Sequence, residues 1–108
     1  MRHNKYKVSQ AEKRYCLVLE QLVEADVILD YICQPRVWLG LPECVYVPDF
    51  LVIPEDDRPY YVDVKGMETA KFKRDKKLWS KYGRLQLRIV KEKGQGKFET
   101  SEVVGGEA

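Results

Sequence analysis

Asp63 and Lys65 stand two residues apart in Tyr60-Tyr61-Val62-Asp63-Val64-Lys65. In an extended chain they project from one face, while Val62 and Val64 project from the other. A carboxylate and an ammonium are then held side by side. Asp49, thirteen intervening residues earlier, follows Pro48 inside the apolar stretch Val45 to Ile53, where an unpartnered charge is costly. Two carboxylates brought together across a hairpin repel unless a cation lies between them. A hard divalent ion suits such oxygen donors, Mg²⁺ first and Mn²⁺ as its substitute. Beside it, Lys65 can orient a water or hold negative charge at a phosphate, and the ion supplies a polarised phosphoryl oxygen and a water of lowered pKa. The same residues also admit a structural account: a surface ion pair for Asp63 and Lys65, and a bulge at Pro48 that satisfies Asp49.

The elements that must position these groups follow from capping, periodicity and turns. Ser9-Gln10-Ala11-Glu12 has the form of a capping box ahead of helically spaced Ala11, Tyr15, Val18, Leu19 and Leu22, which predicts a helix from about Ser9 to Ala25. Glu12 lies on the row Glu12, Cys16, Leu19, Val23, otherwise apolar, at the edge of the core-facing side. It can therefore cap the helix or turn toward the acidic site. Val27 to Cys33 reads as a short strand stopped by Gln34-Pro35, and Arg36 to Leu39 as an edge strand before the turn at Gly40-Leu41-Pro42. Gln34 suits either a contact near the site or the end of that strand. Val45 to Ile53 reads as a central strand with a bulge at Pro48, and Tyr60 to Lys65 as its antiparallel partner beyond the turn at residues 54–59. Thr69 can cap a second helix to about Tyr82 that Gly83 stops, and Arg84 to Val90 alternates as a half-buried strand. The order predicts an α/β fold: a mixed sheet with an embedded antiparallel hairpin, flanked by helices. Residues 1–93 form one domain in this reading, and 94–108 a loosely ordered tail, a loose strand followed by disorder.

Composition narrows the class. At 108 residues, 44 % apolar and 33 % charged, the chain fits one soluble domain and excludes a disordered polymer. No apolar run approaches the roughly 18 residues of a membrane span, and the basic start lacks the apolar stretch of a signal peptide, so a cytoplasmic location without membrane partners is expected. Cys16, Cys33 and Cys44 sit among apolar residues without a CxxC pair, which suggests buried reduced thiols. The net charge of +2 conceals segregation: residues 1–14 carry +4, 15–64 carry −8, 65–93 carry +8 and 94–108 carry −2. Acidic middle and basic flanks suit a cation and a polyanion respectively. The second helix carries Lys71, Lys73, Arg74, Lys76, Lys77 and Lys81, with Lys73, Lys77 and Lys81 spaced by four as one stripe able to follow a phosphate backbone. A solvated helix face would look the same. Tyr60, Tyr61 and Trp79 read as core or sheet cover, and His3 is assigned no role.

Taken together, Glu12, Pro48-Asp49, Asp63-Val64-Lys65-Gly66 and the lysine-rich helix resemble the PD-(D/E)xK nuclease superfamily. With Asn4-Lys5-Tyr6, Gln34-Pro35-Arg36, Asp49-Phe50 and Lys77-Leu78, the chain from about Asn4 to Val90 resembles a short phage and prophage family of unknown function within that superfamily, related to Holliday junction resolvases. The resemblance implies a restriction-endonuclease-like core, Asp49, Asp63 and Glu12 as metal ligands, and Lys65 as the catalytic lysine. It also implies an Mg²⁺-dependent endonuclease, phage or prophage encoded, that hydrolyses DNA phosphodiesters to a 3′-hydroxyl and a 5′-phosphate. Gln34, Lys71, Lys73, Arg74, Lys77 and Lys81 are the expected DNA contacts. A domain this small reads shape more readily than sequence, so branched DNA cut by a homodimer is the expected substrate. The alternatives are a nicking, flap or repair nuclease and, outside enzymes, a basic DNA-binding accessory protein whose acids are structural. In the nuclease reading, Ala at Asp63 or Lys65 removes cleavage and leaves the fold intact.

Overall fold

The structure, a computed structural model, describes residues 8–106. His3 and the Asn4-Lys5-Tyr6 motif lie outside the described residues. Helix α1 spans Gln10–Glu24 and helix α2 Ala70–Tyr82; between and after them run β1 (Ile28–Cys33), β2 (Val37–Trp38), β3 (Val45–Tyr46), β4 (Phe50–Pro54), β5 (Tyr60–Val64), β6 (Leu87–Gly94) and β7 (Lys97–Val104). The chain is thus α/β. A five-stranded sheet has the order β1-β4-β5-β6-β7, antiparallel throughout except for the parallel β5–β6 pair. A separate antiparallel pair joins β2 to β3.

Both helices start where their caps place them. The Ser9 hydroxyl accepts from the Glu12 amide, and Thr69 does the same for Phe72. Each helix then buries its apolar stripe on a different face of the sheet, because successive strand residues alternate sides. Leu19 of α1 packs with Ile28, Phe50, Val52, Val62 and Val90, while Phe72 and Trp79 of α2 pack with Leu39, Leu87, Ile89 and Val104. Burying a large apolar side chain is worth roughly 2 kcal/mol, so these two layers anchor the fold. Trp79 is fully buried yet satisfied, its indole N–H donating to the Leu85 carbonyl at 2.9 Å. Tyr61 packs edge-on to it at 5.2 Å, and Arg88 lies over the Tyr60 ring, so these rings are sheet cover.

Three expectations are corrected. The stretch Val45 to Ile53 is two strands in two different sheets, broken at Val47 to Asp49, because Pro48 has no amide to donate and the chain changes partners there. The segment expected as a loose strand running into disorder holds the eight-residue strand β7, paired along β6 through a hairpin in which Gly96 takes φ 80°. Phe98 of that strand meets the Tyr15 ring edge-on at 5.0 Å, and this contact with α1 gives the strand an apolar anchor. Of the cysteines, Cys16 and Cys44 are half-buried, but Cys33 is exposed at the end of the edge strand β1. Among the described residues no helix is long and apolar enough to cross a membrane.

Candidate active site

Asp49 directly precedes β4, opposite Asp63 on β5, one step beyond the Phe50–Val62 pair. Each carboxylate takes a backbone amide of the facing strand. The Asp49 amide donates to Asp63 Oδ1 at 3.0 Å, and the Val64 amide donates to Asp49 Oδ2 at 2.7 Å. Side chains thus continue the pairing where the ladder stops. Asp63, only 1 % exposed, also accepts the Tyr46 hydroxyl through Oδ2. Tyr46 belongs to the small β2–β3 pair and is held against the Phe72 and Trp79 rings, so this bond ties that hairpin to the main sheet.

Glu12 comes to the same place from α1. Its Oε1 accepts from the Ser9 amide at 3.3 Å, completing the capping box, and the side chain, only 9 % exposed, lines the same cavity as Asp49. The two roles weighed for Glu12 are compatible, since a carboxylate has more lone pairs than one cap uses. Lys65 follows β5, its amide donating to the Val90 carbonyl at 2.9 Å and its ammonium resting 4.4 Å from the Phe72 ring centroid. Gln34, just past β1, is buried in the left-handed region at φ 50°, and its amide donates to the Asp49 carbonyl at 2.9 Å. Glu12, Gln34, Asp49, Asp63 and Lys65 line one cavity of about 320 Å³ at the sheet's end, where the first turns of both helices converge.

The acids perturb one another. Burial, then the Asp63 charge, push the Asp49 carboxyl up to about 8, with Glu12 adding to the rise and the Val64 amide opposing it. Burial likewise raises Asp63, against the pull of Lys65, the Tyr46 hydroxyl and the Asp49 amide. Burial and the Asp63 charge raise the Tyr46 phenol, which keeps it a hydrogen-bond donor. Tyr46 and Asp75, which also line the cavity, went unmarked in the sequence. A tyrosine on a two-residue strand carries no local sign of a partner seventeen residues away.

The donor chemistry fits a hard cation: three carboxylates converge, each retaining lone pairs beyond its protein hydrogen bonds, and their mutual repulsion is what a cation relieves. The set is open, not preassembled, since among the described residues no three His, Cys, Asp or Glu side chains form a ready metal-holding group. The basic residues of α2 divide. Lys71 borders the cavity but pairs with Asp75 at 3.0 Å, and Arg74 borders a neighbouring hollow against β3. Lys76 is clamped between Glu68 and Glu102, both at 2.8 Å. Lys73, Lys77 and Lys81 are exposed opposite the buried Phe72 and Trp79 row, and none of them lines the cavity.

A family model described as "Protein of unknown function (DUF1064)" matches residues 3–96. No curated protein matches the chain.

Proposed function

The chain belongs to the DUF1064 family of proteins of unknown function, and for it we propose a metal-dependent phosphodiester hydrolase of the PD-(D/E)xK type acting on DNA. One observation carries the reading: Glu12, Asp49 and Asp63 converge with Lys65 in a single cavity, where burial first and the Asp63 charge second raise the Asp49 carboxyl to about 8. Such perturbation of acids facing a cleft is a mark of functional sites. The mixed α/β sheet with its β4–β5 hairpin supports a restriction-endonuclease-like core.

Asp49, Asp63 and Glu12 would hold Mg²⁺, with Mn²⁺ as its substitute. When bound, the ion supplies a water of lowered pKa and polarises a phosphoryl oxygen. Lys65 places its charge where the phosphate gains negative charge, held in position by the Phe72 ring. Without a cation, burial and the neighbouring Asp63 charge favour the protonated form of Asp49, which lowers the charge of the buried cluster. Tyr46 and the Asp49 amide orient Asp63, and Gln34, Lys71 and Arg74 border the place where the strand would lie. Branched DNA and a symmetric pair of chains remain the preferred substrate and assembly, since one small domain offers little surface for base reading.

A second reading, a DNA-binding protein whose acids are structural, is favoured by the protein hydrogen bonds that occupy both Asp63 oxygens. Labelled four-way junction, flap, duplex and single-stranded DNA, each incubated with Mg²⁺ or with chelator, separates the two. Cleavage that requires the ion and is lost in Lys65→Ala supports the hydrolase; binding without cleavage of any substrate overturns it.

A further inference from the structure

A second cleft, of about 390 Å³, opens beside the acidic cavity and shares Lys65 with it. Lys91 and Lys93 of β6 form its basic wall, and Ala11 in the first turn of α1 closes it. Lys65 and Lys91 are neighbours on parallel strands, one step past the Val64–Val90 pair. Like charges in that position repel; Glu68, whose carboxyl Lys76 first and then Lys91 and Lys73 hold below its usual value, offsets Lys91 in part without pairing with it. Glu92, the only carboxylate lining this cleft among the described residues, is taken up by Arg14 at 2.6 and 2.8 Å and by the Gly96 amide at 2.7 Å. Lys93 reaches Glu99 only at 3.6 Å, both side chains being more than half exposed. Lys91 has no carboxylate within ion-pairing distance among the described residues.

We infer that this cleft is a phosphate-binding track, so that a polynucleotide strand leaving the acidic cavity passes Lys65 onto Lys91 and Lys93. The inference rests on the hydrolase reading for what lies in the acidic cavity, and adds the direction in which the strand runs. The track differs from the one suggested by the stripe Lys73, Lys77 and Lys81, which lines neither cavity. It also explains why a lysine serves at position 65: one ammonium borders both the acids and the next phosphate.

The test is fluorescence anisotropy of a fluorescein-labelled DNA duplex in chelator over a series of salt concentrations, with the double variants K91Q/K93Q and K73Q/K77Q beside the wild type. K91Q/K93Q is expected to weaken binding roughly tenfold at low salt and to lower the slope of log affinity against log salt by about 1.8, from two lost duplex contacts. K73Q/K77Q should leave the slope unchanged. An unchanged slope for K91Q/K93Q, or a fall confined to K73Q/K77Q, overturns the track. A wild-type chain that binds through the cleft yet cuts nothing with Mg²⁺ leaves the track standing and overturns the hydrolase. A chain that cuts while K91Q/K93Q binds normally does the reverse.

Discussion

Asp49 and Asp63 face each other across the β4–β5 pairing, and each accepts an amide from the other's strand. Two acids are thereby placed in direct opposition, where both cannot be charged without repulsion, by hydrogen bonds that neither can lose cheaply. The consequence is a tension between folding and charge at one spot, from which stability and chemistry can be predicted separately.

Replacing Asp63 by Ala should destabilise the fold, contrary to the expectation from sequence that its side chain points only toward an ion. The Tyr46 hydroxyl and the Asp49 amide would both lose their acceptor in a buried place. Each such loss costs about 1–3 kcal/mol, so urea unfolding should show a loss on the order of 2–6 kcal/mol. A change below about 1 kcal/mol would mean that these bonds are not maintained in solution.

Asp49→Asn should stabilise the protein in chelator, and the gain should depend on pH. The folded carboxyl, raised to about 8, lies above its unfolded value of 3.8, so its contribution is fully present below pH 3.8 and is lost as pH rises through 8. Asn removes that loss. Melting curves should coincide near pH 4 and separate toward pH 8, with the variant higher by about 5 °C or more. A variant that melts lower at pH 8 would show Asp49 to be chiefly an acceptor for the Val64 amide.

Glu12 and Ser9 separate capping from chemistry. Ser9→Ala should cost about 1 kcal/mol and leave cleavage at the wild-type rate. Glu12→Gln keeps a side chain suited to the capping box, so it should fold normally while cleavage with Mg²⁺ falls on the order of 10²-fold. Equal cleavage by Glu12→Gln and wild type would confine Glu12 to the cap.

Lys65→Ala should cost folding only modestly, since it removes a contact with the Phe72 ring, worth about 1 kcal/mol, and the attraction that partly offsets burial of the Asp63 carboxyl. Cleavage should fall on the order of 10²-fold or more. Single-turnover rates at saturating DNA measure this without confusing it with weaker binding; an unchanged rate would remove Lys65 from the chemistry.

Gly83→Ala tests the close approach that ends α2. An added Cβ would overlap the Trp79 indole nitrogen, inside any tolerable contact. The ring is fixed by burial and its bond to Leu85, so the expected cost is about 1–3 kcal/mol in urea unfolding.

The two helices, their caps and the pairing of Asp63 with Lys65 on one strand face were legible in the sequence because each depends on residues within a few positions of one another. Ser9 and Thr69 cap where their spacing says, and the apolar rows of α1 and α2 face the sheet. Tertiary structure decided everything that needed a distant partner. Pro48 marked an interruption, but only the placement of β3 against β2 and of β4 against β1 and β5 turned it into a change of sheet. That change carries Tyr46 to Asp63. Residues 97–104 read as no more than a loose strand until β6 supplies the ladder and Tyr15 a ring for Phe98. Lys91 read as one charge among many, and the parallel β5–β6 register sets it beside Lys65. Local propensity is encoded in neighbours along the chain, whereas which charges meet is set by strand order and register, and those are decided by the burial of both faces of the sheet at once.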